Sequence, residues 1–86
     1  MPTVSRFYGI LIQMFFDDKH GPHFHAVYAE YKASVDIMSG KIVVGGLPPR
    51  AYKLVKDWTK AHRAELLANW ERARRQEPLK EIEPLE

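Results

Sequence analysis

The chain divides by the rhythm of its apolar residues: short β-type runs fill roughly the first half, and a helical period takes over after Pro49. Arg6 to Phe16 reads as one strand. Tyr8, Ile10, Ile12, Met14 and Phe16 make one alternating set and Phe7, Leu11 and Phe15 the other, so both faces are apolar and both are expected to be covered. Asp17 to Pro22 is polar and turn-forming, and His23 to Ala29 predicts the returning strand. Lys32 to Ile37 alternates, with Ala33, Val35 and Ile37 facing in and Lys32, Ser34 and Asp36 facing out. Ser39 and Gly40 give a hairpin signal before a last strand over Lys41 to Val44.

Gly45 to Pro49 punctuate the chain, and proline suits the first turn of a helix because its missing N–H has no intrahelical partner there. Beyond it, Ala51, Val55, Trp58, His62, Leu66, Asn69 and Ala73 fall on one stripe at about 100° per residue, flanked by Leu54, Ala61, Tyr52 and Trp70. This predicts one long helix, or two shorter ones broken near Thr59 to Arg63, stopped by Pro78. The expected fold class is α+β in a single domain: an antiparallel sheet of about four strands in 1–46, a helical segment in 48–76 packed on one face, and an extended acidic tail in 77–86. Phe24, Ala26 and Tyr28 bring more apolar area than His23 and His25, so the aromatic set is expected to face the helix and the histidines the other side.

Composition narrows the setting. Without cysteine there is no disulfide framework and no thiolate metal site, and a reducing cytoplasm is the expected location. The longest apolar run, Ile10 to Phe16, is interrupted by Gln13 and falls far short of the roughly 20 residues of a spanning helix; no secretory signal is visible, so no membrane role is expected. In a chain of 86 residues burial and ordering nearly cancel. With a second apolar face on the first strand, this predicts a homodimer or a small partner protein.

The net charge of +2 conceals an uneven distribution: residues 1–48 are neutral, 49–75 hold eight basic against three acidic residues, and 76–86 one against four. Lys53, Lys56, Lys60 and Arg63, with Arg74, project from one side of the helix and form a candidate nucleic-acid-binding ridge that follows a phosphate backbone. The competing reading is a solvated face, with Lys53–Asp57 and Glu71–Arg75 as helical ion pairs.

The most unusual local feature is His20, Gly21, Pro22, His23, Phe24, His25, which gathers three of the four histidines. Residues i and i+2 of a strand share a face, so His23 and His25 are placed side by side. Three readings are open. In one, His20, His23 and His25, with Asp17 or Asp18, ligate a divalent transition metal such as zinc, nickel or iron. In another, His23 and His25 are a catalytic pair moving protons on a phosphodiester, with Lys19 or Arg6 holding the charge. In the last they are half-apolar fillers. His62, with Glu65 one turn on, reaches such a site only if the histidines face the helix.

At these residues the chain resembles a family of small bacterial proteins, domain of unknown function DUF4160. The opening Pro2 to Gly9, the GPHFHAVY stretch from Gly21 to Tyr28, VKDW, ELLANWERAR and the Ile82, Pro84, Leu85 ending carry the resemblance, although the family usually shows proline where this chain has Gly21. The resemblance implies no established reaction. It does imply a neighbouring small protein with a nucleic-acid-binding domain, hence a toxin-antitoxin-type pair; the function expected here is an interaction module of that type acting on RNA, with His23 and His25 as its catalytic pair. A metal-binding protein and a non-catalytic regulatory or structural subunit are the alternatives.

Overall fold

The computed structural model describes residues 2–16 and 21–86. Five strands and two helices follow in chain order: β1 (Thr3–Phe7), β2 (Ile10–Gln13), β3 (His23–Tyr28), β4 (Tyr31–Asp36), β5 (Ile42–Gly45), α1 (Pro49–Ala61) and α2 (Arg63–Arg74). The strands form one sheet in the order β1-β2-β3-β4-β5, each antiparallel to its neighbour. The α+β class is as the sequence predicts, with one strand more.

The extra strand arises because the expected Arg6 to Phe16 strand is a hairpin. Tyr8 and Gly9 both have positive φ, +50° and +79°, the pattern of a type I′ turn, which pairs Phe7 with Ile10. Such turns favour Asn-Gly, and Tyr-Gly within an apolar run hides the signal. The turn also reverses parity: Phe7 joins Ile10, Ile12 and Met14 in the core, while Tyr8 is exposed at the tip.

The core lies between the sheet and α1. Ile10, Ile12, Phe24, Ala26, Ala33 and Val35 are buried with Ala51, Val55 and Trp58 of the helix. The Trp58 ring meets Phe7 at 5.3 Å and Phe24 edge-on at 5.8 Å. Fully burying each such large side chain stabilises by about 1.5–3 kcal/mol, and most of the sheet's inner face contributes at this rate.

The helical segment breaks at His62, inside the interval anticipated, where the backbone leaves helical geometry at φ −120° and ψ 23°. Buried Thr59 donates its hydroxyl to the Val55 carbonyl at 2.7 Å. That bond to the i−4 carbonyl bends a helix. Arg63 then ties the start of α2 to the end of β4 through Nε to the Ile37 carbonyl, 3.0 Å.

After α2 the chain reverses at Gln76, held at φ +60°, with Gln76 N–H donating to Ala73 and Glu77 N–H to Arg72, the paired bonds of a Schellman end. The tail then crosses the β1 edge. Buried Asn69 grips the backbone of Lys80, donating from Nδ2 to its carbonyl at 2.8 Å and accepting its N–H at 3.0 Å. Trp58 Nε1 donates to the Glu83 carbonyl at 2.8 Å, and Ile82 N–H donates to Val4 at 2.7 Å. One sheet edge is thereby covered. At the other edge, β5 leaves Val43 and Val44 exposed. Gly45 ends that strand at φ +76°, where any Cβ would collide with the Lys32 carbonyl oxygen. No helix among the described residues is long and apolar enough to cross a membrane.

Candidate functional site

Two groups of sequence-selected residues have fixed surroundings. The first is the histidine pair on β3. Phe24 and Ala26 face α1, so His23 and His25 project to the opposite side, as expected from apolar area. That side is not open. His23 is 2% exposed and His25 9%, because the Trp70 ring lies 5.2 Å from His23 and the Phe15 ring 5.1 Å from His25. The two imidazoles stand 5.5 Å apart. His23 Nδ1 is 2.9 Å from the Gly21 carbonyl oxygen. A carbonyl only accepts, so Nδ1 carries the proton and Nε2 holds the lone pair in the neutral ring.

The proposed partners of this pair are distributed differently. Asp17, Asp18, Lys19 and His20 lie outside the described residues, and with them the third ligand of the metal reading. Among the described residues no three His, Asp or Glu side chains gather as a metal set. Asp36 is opposite His23 in the β3–β4 register, but its carboxylate accepts the Ser39 N–H at 2.7 Å. His62 belongs elsewhere: its Nδ1 is 2.6 Å from Glu65 Oε1 and its ring lies 5.6 Å from Trp58.

The second group is the basic row that runs along α1 and ends at Arg63, the first residue of α2. Lys53, Lys56 and Lys60 are exposed and Arg63 is half-buried. Lys53 pairs with Asp57 at 3.0 Å, both side chains more than half exposed, so the pair contributes little to stability. The Lys53–Asp57 pair is thus present, whereas Glu71 pairs with Arg74, at 2.6 Å, in place of Arg75. The Glu71 carboxyl is held below its usual range by the Arg74 hydrogen bond, with further help from the charges of Arg74 and Arg75.

Lys56, Lys60 and Arg63 line a cleft of about 280 Å³ with Ser39, Gly40 and Asp57. The β4–β5 turn forms its far wall, held against α1 by Tyr52, whose hydroxyl donates to the Gly40 carbonyl at 2.9 Å. The turn's own donors are engaged: Ser39 N–H and Gly40 N–H bond to Asp36, and Lys41 N–H to the Ser39 hydroxyl. Capacity for an anion therefore rests on Lys56, Lys60 and Arg63, the last oriented by its Ile37 bond. With Asp57 engaged by Lys53, the cleft is net positive.

Residues 9–71 match the family described as Domain of unknown function (DUF4160). The chain belongs to that family. The match contains β2 to α1, His23 and His25, and the basic row from Lys53 to Arg63 but not Arg74, while β1 and the tail lie outside it, including the opening Pro2 to Tyr8 and the Ile82, Pro84, Leu85 ending. No curated protein and no solved structure matches. One DUF4160 residue escapes the sequence reading: Arg50, which extends the basic row one turn toward the start of α1. Pro49 was its signal, since it fixes where the helix starts and so where Arg50 lies relative to Lys53.

Proposed function

We propose that this DUF4160 protein is a bacterial, cytoplasmic interaction module of the toxin-antitoxin type that contacts RNA through the basic row of α1. The observation that carries the reading is the cleft of Lys56, Lys60 and Arg63: three cations, two from α1 and one from the start of α2, converging opposite the β4–β5 turn on a surface a phosphate chain can reach. His23 and His25 support a packing role in this reading, because general acid–base work requires hydrogen-bond reach to the substrate, and both rings are enclosed by Phe15 and Trp70. The open β5 edge, with Val43 and Val44 exposed, is the surface assigned to a second copy or a small partner protein. Incubation of RNA with wild type and with His23→Ala/His25→Ala tests the division of labour. The expected result is RNA retention without cleavage in both, provided the variant folds by circular dichroism; cleavage by wild type alone makes the pair catalytic and contradicts the reading.

One observation favours a second reading, divalent-metal binding through His20, His23 and His25. The bond of His23 Nδ1 to Gly21 orients Nε2 as metal-ligating histidines are commonly oriented by a carbonyl. Metal analysis of protein purified without an affinity tag decides it, with stoichiometric zinc, nickel or iron in its favour and none against.

A further inference from the structure

We infer that the cavity at the start of α1, between the Tyr8 hairpin tip and Tyr28, receives one unpaired nucleobase with its attached phosphate; this rests on the RNA reading above and names the part of the strand that is held. The cavity has a volume of about 280 Å³. Its apolar floor is Ile10, Ala51 and Leu54, its aromatic walls are Tyr8 and Tyr28, and Arg50 supplies a cation. Among the described residues no ion pair engages Arg50.

Tyr8 is the telling residue. It is 59% exposed, and it occupies a left-handed turn position at φ +50° that asparagine or glycine adopts more readily. A bulky ring kept in that conformation, mostly exposed and outside the core, has little burial to offset the strain. Strain of this kind, when observed, points toward function. Tyr28 is half-buried beside the turn: a Cβ on Gly9 would lie 3.5 Å from its ring. One aromatic wall is thus fixed by packing and the other stands in solvent.

The chemistry selects the ligand. Aromatic walls over an apolar floor suit a planar heterocycle, because every base offers a π-face for stacking, and the adjacent guanidinium suits the phosphate attached to it. A base within a duplex is already stacked, so only a single-stranded segment or a free nucleotide offers this group. From Arg50 to Lys60 the helix rises about 15 Å, and the intervening Lys53 and Lys56 let a strand entering at Tyr8 continue to the Gly40 cleft.

The test compares octauridylate with an abasic ribose-phosphate oligomer of equal length on wild type, Tyr8→Asn and Lys56→Ala/Lys60→Ala, with melting curves to verify folding. Asparagine suits the turn, so Tyr8→Asn is expected to melt no lower than wild type, yet to bind octauridylate about tenfold or more weakly. The abasic oligomer is expected to bind wild type as weakly as octauridylate binds Tyr8→Asn. If the abasic oligomer or Tyr8→Asn matches the wild-type affinity for octauridylate while the lysine variant loses binding, the base pocket is overturned and the RNA reading stands. If no oligomer binds, the RNA reading fails and uridine 5′-monophosphate decides the pocket by NMR. Shifts in the Tyr8 and Tyr28 ring signals then assign the pocket to a free nucleotide, and unchanged signals overturn it.

Discussion

The two ends of β3 carry aromatic clusters with opposite properties. At its start, His23 and His25 are locked between Trp70 and Phe15 and are almost inaccessible. At its end, Tyr28 borders a cavity whose other wall, Tyr8, stands mostly in solvent on a backbone conformation unfavourable to it. The histidine-rich end is the more conspicuous in sequence, yet its side chains are occupied with packing. The inconspicuous end holds the accessible ring and the accessible cation. Chemical potential in a sequence and availability in a fold are separate properties, and only the second permits recognition.

The largest expected effect breaks the packed end. Trp70→Ala removes the ring over both His23 and Phe16 and should cost about 3–5 kcal/mol, read as a lower urea midpoint at unchanged m. A loss below about 1 kcal/mol would mean that end is not a packed cluster. Asn69→Ala comes next. It strips Lys80 of both backbone partners and should cost about 1–3 kcal/mol, with faster hydrogen exchange at the Lys80 and Ile82 amides. Slow exchange there would show that the tail holds to the β1 edge without Asn69.

At the open end the sign reverses. Tyr8→Asn should raise stability by up to about 1 kcal/mol by relieving the left-handed strain, and Gln76→Gly should do the same at the end of α2. Destabilisation by Tyr8→Asn would show that its ring belongs to the fold after all. The smallest effect belongs to the exposed Glu71–Arg74 pair. Because the folded-state pKa of Glu71 is depressed, its contribution is present above the ordinary carboxylate pKa and fades as pH falls through the lower folded value. Melting curves of Glu71→Gln and wild type should therefore differ slightly near neutrality and converge in acid.

These contrasts also show where the sequence could be read. The inward set Phe24, Ala26, Ala33 and Val35 and the α1 stripe of Ala51, Val55 and Trp58 are buried where periodicity puts them, because one-sided burial imposes a period. The Tyr8–Gly9 turn stayed hidden because apolar residues continue through it, and with parity reversed the expected inward position of Tyr8 became an exposed one. The site was legible as residue types only. Lys53, Lys56 and Lys60 share α1 and Arg63 opens α2, but the convergence of Lys56, Lys60 and Arg63 beside Gly40 depends on a Tyr52 bond across 12 residues of sequence. Likewise, enclosure of the histidines depends on Trp70, which periodicity places beside the helical stripe without showing that its ring meets His23.

The α1 row, continued by Arg63 of α2, is proposed as a phosphate-tracking surface. The most direct test is the salt dependence of octauridylate affinity for wild type and Lys56→Ala/Lys60→Ala. Logarithmic affinity should fall linearly with logarithmic salt concentration, with a slope shallower by about 1.4 in the variant, at about 0.7 for each lost single-strand phosphate contact. Equal slopes, or a wild-type affinity indifferent to salt, would contradict the account.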